Sequence, residues 1–186
     1  MIKNDRWIKK MSLEKNIINP FCSKQISKGV ISYGVSSYGY DVRIANKFMM
    51  IKKIKGITID PKKIEKKSFD YITVKKYIII PPNFVILGKT IEYLRIPRNV
   101  LVIAFGKSTY ARCGLLVNIT PFEPEWEGYV TISMSNISSR PIKLYVNEGI
   151  AQIIFFETKN TCDISYNDKN GKYQMQKNIT TAKIYE

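Results

Sequence analysis

A chain of 186 residues with 45% hydrophobic and 12% aromatic residues is long enough for one domain with its own core, which excludes a disordered segment. Three cysteines and no histidine exclude a disulfide framework, histidine-dependent nucleophilic triads and the zinc deaminases, whose metal site needs H-x-E and P-C-x-x-C. A formal net charge of +15 admits a polyanionic partner, yet basic residues run densely only through 52–67, where aromatics are missing until Phe69. Lysines spread over solvated faces account better for that charge, and nucleic-acid binding ranks low.

No apolar run reaches the roughly 18 residues of a membrane helix. The opening MIKNDRWIKKM lacks an apolar signal core. No membrane partner and a cytoplasmic location are therefore expected.

In chain order, Asn4 or Asp5 caps a short helix through Trp7, Ile8 and Met11, which Asn19-Pro20 then breaks. Residues 13–30 read as loop and short helix. Residues 36–43 open a β-rich region with Gly39 between two tyrosines; Asp41 and Arg43 share one face and read as a structural ion pair. Weak alternation over 48–80 predicts short strands and an exposed hairpin near Asp60-Pro61, then a buried strand at 77–80 ended by Pro81-Pro82. Residues 84–87 form a strand ending in Gly88, residues 96–99 a turn, and 100–105 a continuous apolar core strand. Short strands punctuated by Pro and Gly predict a mainly β sandwich or barrel with short helices.

The chemistry concentrates in 106–136, GKSTYARCGLLVNITPFEPEWEGYVTISMSN. Lys107, Ser108, Thr109 and Arg112 put cations and hydroxyls beside a glycine, as a phosphate requires. This is not a P-loop: that pattern needs glycine at position 101, where the chain has Leu101, and no α/β unit surrounds it. Glu123, Glu125 and Glu127 surround Trp126. The strand that follows alternates, with Tyr129, Thr131, Ser133 and Ser135 on one face and Val130, Ile132 and Met134 on the other. Further on, 139–141 and 147–149 are turns around a strand at 142–146, and 150–156 is an apolar strand carrying Gln152. From Cys162 the tail is polar. It reads either as disordered or as a flap over a nucleotide, spanning about 162–186 of a single domain 1–186.

GKSTYARCGLLVN, EPEWEGYVT and NEGIAQ closely resemble the bacterial dCTP deaminases of the dUTPase-like superfamily, and SSYGYDVRI, PPNFVILGKTIEYLRIPRNVL and GKYQMQ fit in the same order. The resemblance spans nearly the whole chain. It implies a dUTPase-like distorted β-barrel or jelly-roll of the β-clip type, and zinc-independent deamination of dCTP to dUTP and ammonia on the route to dUMP. It implies nucleotide contacts from Lys107, Ser108, Thr109, Tyr110, Ala111 and Arg112, from Thr131, Ile132 and Ser133, and from Gln152, Tyr166, Lys172 and Gln176. Ser108 and Arg112 would stand near the reacting end. The resemblance further implies a homotrimer with sites at subunit boundaries, Mg²⁺ carried by the triphosphate, and dTTP as a candidate inhibitor.

One position departs. Where the family carries its catalytic glutamate, this chain reads Val130-Thr131-Ile132-Ser133. A serine hydroxyl is a poor base near neutral pH, and no histidine exists to activate it. Three explanations stand: the chain binds nucleotide without efficient turnover; Glu123, Glu125 or Glu127 supplies the carboxylate; or Ser133 is an engineered or erroneous residue. Hydrolysis of dUTP ranks lower, since Asn118 stands on the strand where an aspartate base would be sought.

Overall fold

The computed structural model describes residues 1–56 and 58–184. Ile57, inside the lysine-rich run, and Tyr185 and Glu186, at the end of the expected domain, lie outside the described residues.

Helix α1 spans Asp5–Lys15, and Asn4 caps it as its side-chain oxygen accepts the Trp7 N–H at 3.1 Å. It ends earlier than Asn19-Pro20, because Asn16 takes the left-handed conformation at φ 53° and closes the last turn. Ile8 is fully buried and the Trp7 ring packs 5.7 Å from Phe155. Residues beyond Asn16 form β1 (Ile18–Asn19) rather than a second helix.

The strands that follow are β2 (Gly34–Ser36), β3 (Gly39–Ile51), β4 (Phe69–Thr73), β5 (Tyr77–Ile80), β6 (Val85–Arg95) and β7 (Val100–Gly106). After the one-turn helix α2 (Ser108–Ala111) come β8 (Leu115–Asn118), β9 (Glu127–Asn136), β10 (Ile142–Tyr145) and β11 (Gly149–Glu157). The main sheet runs β7-β11-β3-β6-β9-β8, all neighbours antiparallel. Its ends approach each other: a β-carbon on Gly106 would come within 2.8 Å of Val117, and Val102 and Phe122 exchange backbone hydrogen bonds of 3.1 and 2.8 Å. The fold is thus mainly β, a nearly closed barrel with few short helices.

Three expectations are corrected by burial. Gly88 does not end a strand; it lies inside β6, where a β-carbon would come within 2.7 Å of Ile44 Cδ1. Strand β5 is buried on one face only, with Ile78 and Ile80 inside and Tyr77 and Ile79 exposed, in a two-stranded ribbon with β10 that has one face against the core. In β7, Val100 and Val102 enter the core while Phe105 is 58% exposed. The lysine-rich run connects β3 to β4, which pair from Ile51↔Phe69, so the predicted hairpin is there with a long connection.

Asp41 and Arg43 do not pair with each other. Arg43 Nε–H donates to Glu92 Oε1 at 2.7 Å and its backbone N–H to Oε2 at 2.9 Å. This node sits where the β3–β6 and β6–β9 registers break, so side chains replace missing ladder bonds. Thr90 serves likewise, accepting Val130 N–H at 2.9 Å and donating to Glu92 O at 2.7 Å. Burial pushes the Glu92 carboxyl up by more than the Arg43 contacts pull it down. Burial pushes the Arg43 guanidinium down, but the Glu92 contacts outweigh it and the net shift is upward. The carboxyl decides the pH response, since the guanidinium stays charged.

Arg43→Ala leaves Glu92 buried without its cation and is expected to cost about 3–5 kcal/mol in urea unfolding at neutral pH. A raised carboxyl stabilises fully below its unfolded pKa and loses that contribution as pH rises through the folded value. The deficit of the variant is therefore expected to be smaller at pH 5 than at pH 8; a pH-independent deficit counts against the node.

Candidate functional site

Strand β9 carries the site. Its residues alternate strictly, with Val130, Ile132 and Met134 buried and Thr131, Ser133 and Ser135 on the opposite, half-buried face. The loop before it folds back on the barrel. Phe122 and Trp126 pack with ring centroids 5.0 Å apart, Glu125 N–H reaches Ile96 O and Ile96 N–H reaches Trp126 O.

The tail docks on this loop and strand. Tyr166 N–H donates to Pro124 O, Trp126 Nε1–H to Tyr173 O at 3.0 Å, and Tyr129 N–H to Gln176 O at 2.9 Å. At the crossing point Gly128 has φ 149°, and a β-carbon there would stand 2.8 Å from Gln176 N, so only glycine lets the tail lie this close. Thr131 Oγ1 accepts Thr180 N–H at 3.0 Å and lies 3.4 Å from Gln176 Oε1.

Between loop, strand and tail lies a cavity of about 810 Å³. Phe122, Trp126 and Thr131 face it from the barrel, and Tyr166, Lys172 and Gln176 from the tail. This size suits a small ligand, and aromatic walls with cations and amides suit a nucleotide. Another hollow, of about 480 Å³, lies between Lys52–Lys55 and Phe84 and contains none of the expected site residues.

The thirteen sequence-predicted positions fall into separate groups. Thr131, Tyr166, Lys172 and Gln176 line the cavity together. Ser133 is two residues along the same face of β9, opposite Leu87 on β6 and Asn118 on β8. Ile132 is fully buried in the core, so its side chain faces no ligand. Turn 107–112 sits at the end of β7 with Ser108, Thr109, Ala111 and Arg112 exposed. Tyr110 is buried; its hydroxyl accepts Tyr145 N–H at 3.0 Å, and burial raises its pKa to about 12. Gln152, on β11, donates to Ser36 Oγ at 2.8 Å.

The three loop glutamates are all engaged. Glu123 pairs with Lys169, Glu125 with Arg98 at 2.7 Å, and Glu127 meets Tyr93 OH at 3.2 Å and Arg95 at 3.6 Å. Of these, Glu123 lines the cavity. Sequence reasoning missed Tyr173 and Thr180, whose place depends on how the tail crosses β9. It also missed Arg98, whose second nitrogen holds Asp168 at 2.7 Å.

Fold and cavity define a mainly β, nearly closed barrel with a ligand-sized cleft under its C-terminal tail. The model of the dCTP deaminase-like family matches residues 2–158. A dCTP deaminase of Helicobacter hepaticus is 55% identical over 185 residues, covering 98% of each chain. One of Nitrosomonas europaea is 53% identical over 188 residues, covering 98% of this chain and 99% of its own. A crystal structure of 2'-deoxycytidine 5'-triphosphate deaminase from Agrobacterium tumefaciens superposes with a TM-score of 0.63 at 13% identity, covering 84% of this chain and 48% of that one, a likeness of fold. The chain belongs to the dCTP deaminase-like family.

The Arg98 hydrogen bond holds the Asp168 carboxyl down to about 2, helped by Ser165. A depressed carboxyl stabilises above its unfolded value near 3.8 and loses that contribution as pH falls toward 2. These groups face solvent, so Arg98→Ala is expected to leave global stability nearly unchanged. It is expected nonetheless to speed hydrogen exchange at the Tyr166 and Gln174 amides severalfold. Unchanged exchange there means that Arg98 does not hold the tail.

Proposed function

We propose that this protein binds dCTP with Mg²⁺ and deaminates it to dUTP and ammonia, with Ser133 making the chemical step slow. The observation that carries the reading is the cavity that joins Thr131 to Tyr166, Lys172 and Gln176 beneath the docked tail. The tail residues are the triphosphate contacts, and residues 162–184 act as the flap over it. No group of three or more His, Cys, Asp or Glu side chains among the described residues could hold a metal ion. Mg²⁺ would come as part of the nucleotide complex, where it would neutralise phosphate charge.

Deamination adds water to C4 of cytosine, moves a proton to N3, and breaks the C4–N4 bond as the amine leaves with a further proton. Ser108 and Arg112 position that water and stabilise the charge that develops. A carboxylate at position 133 would carry both protons, a contribution of about 10²–10⁴ in rate. The Ser133 hydroxyl holds water without being basic enough to carry them. The engagement of Glu123, Glu125 and Glu127 in ion pairs or hydrogen bonds favours a second reading, a nucleotide-binding protein without turnover.

The first test is release of dUTP and ammonia from dCTP with Mg²⁺, for the natural chain beside Ser133→Glu. The glutamate variant is expected to be faster by about 10²–10⁴ at similar dCTP affinity. Equal rates overturn the role given to position 133, and absence of dCTP binding in both overturns the reading as a whole.

The reading also includes a homotrimer, in which turn 107–112 of one copy reaches the cavity of the next. Its support is that Ser108, Thr109 and Arg112 are exposed and do not line their own cavity. The outward-facing Phe105 lies two residues before the turn. Sedimentation is expected to give a trimer for the natural chain and smaller species for Phe105→Asp, with dCTP affinity lost alongside. A monomer that binds dCTP normally refutes the shared site.

A further inference from the structure

Lys107 is the residue of turn 107–112 that sequence chemistry would first give to a phosphate, but its side chain is 13% exposed and points into the fold. Its Nζ donates to Asp41 Oδ2 at 2.8 Å and to Ser32 Oγ at 2.8 Å. Asp41 is 1% exposed, takes a second bond from Gln25 Nε2 at 3.1 Å on the same oxygen, and its Oδ1 is buried with no hydrogen bond among the described residues.

The pair is tied into the sheet at both ends. Asp41 lies opposite Gln152, which lies opposite Phe105, two residues before Lys107. The Lys107 N–H donates to Ile150 O at 3.0 Å, and its carbonyl accepts the N–H groups of Tyr110 and Ala111, both at 3.0 Å. Fixing Lys107 therefore fixes the backbone from which Ser108, Thr109 and Arg112 project.

We propose that Lys107 is the anchor of this turn and not a phosphate ligand, and that buried Asp41 is the positioning residue which sets the ligating groups of Ser108, Thr109 and Arg112. The physical reason is desolvation. A swing of Lys107 to a phosphate would strand a buried carboxylate with Gln25 as its one side-chain donor among the described residues, whereas staying keeps both charges paired. Ser32 and Gln25 complete the seat from the segment between β1 and β2. Anionic ligand is left to the exposed hydroxyls and guanidinium of the turn.

This proposal rests on the nucleotide-binding reading for its ligand, and the test separates the two. Calorimetric titration of Mg²⁺–dCTP and of dCMP is compared for the natural chain, Lys107→Met, Asp41→Asn, their double variant and the milder Ser32→Ala. Hydrogen exchange is followed at the Tyr110 and Ala111 amides. An anchor predicts that each single variant of the pair weakens dCTP and dCMP alike, by about tenfold or more. The dCTP to dCMP affinity ratio stays within about threefold of the natural chain, and the double variant is no worse than the poorer single one. Exchange at Tyr110 and Ala111 quickens in both, less so in Ser32→Ala, while exchange at Tyr129 does not change. A loss for dCTP about tenfold greater than for dCMP in Lys107→Met overturns the proposal, as does unchanged exchange in the turn. If the natural chain binds neither nucleotide, the functional reading fails, and exchange in the turn still decides the anchor.

Discussion

The two-residue period of β9 constrains nearly everything else in the site. One face must fill the barrel, and Val130, Ile132 and Met134 do so; the other face is then free for Thr131 and Ser133. Both edges of the strand are taken, by β6 and β8, so the tail can only cross at its N-terminal end. There Gly128 lets Gln176 approach, and the parallel bridge between them sets where the tail residues fall. A slip of one residue would put Thr131 and Ser133 in the core and the apolar set under the tail. The cavity is thus a consequence of strand register rather than of any loop's own preference.

Buried polar groups stabilise that register. Ladder bonds fail around the bulges of β3 and β6, and Arg43, Glu92 and Thr90 supply the missing donors and acceptors. Asn136 does similar work at the end of β9, donating to Ile80 O and Arg140 O while accepting from Ser138. Each bonds to groups of neighbouring strands or turns, which makes them expensive to lose one at a time.

Much of this was legible in the chain. The alternation of 129–135 is a local pattern, and a local pattern with one buried face admits little else. The Asn4 cap and the turns at 96–99 and 147–149 follow from short-range backbone chemistry in the same way. Partnerships across strands were not legible. Asp41 and Arg43 share a strand, yet their partners are Lys107 and Glu92, 66 and 49 residues away. Nor does the apolar run 100–105 reveal that Val100, Val102 and Ala104 face inward while Phe105 faces out, since a continuous apolar run carries no alternation to mark its inner face. The tail was ambiguous for a related reason: its docking depends on glycines at 128 and 171 meeting Gln176 and Tyr166, contacts that composition does not encode.

Position 133 ties these threads together. It is half-buried, on the face of β9 that the core does not use, so the side chain there bears little on folding. The strand, its register with β6 and β8, and the tail docking on its neighbour Thr131 persist with a serine in place. Chemistry and architecture are therefore separable at this point of the fold in a way they are not at Asp41 or Glu92, where a changed charge disturbs the barrel itself. Under the proposed reading, the family's proton carrier occupies the most replaceable kind of position in the structure. Its loss spares the cavity, the docked tail and the anchored turn, and the same arrangement that tolerates serine is the one into which a carboxylate can be restored.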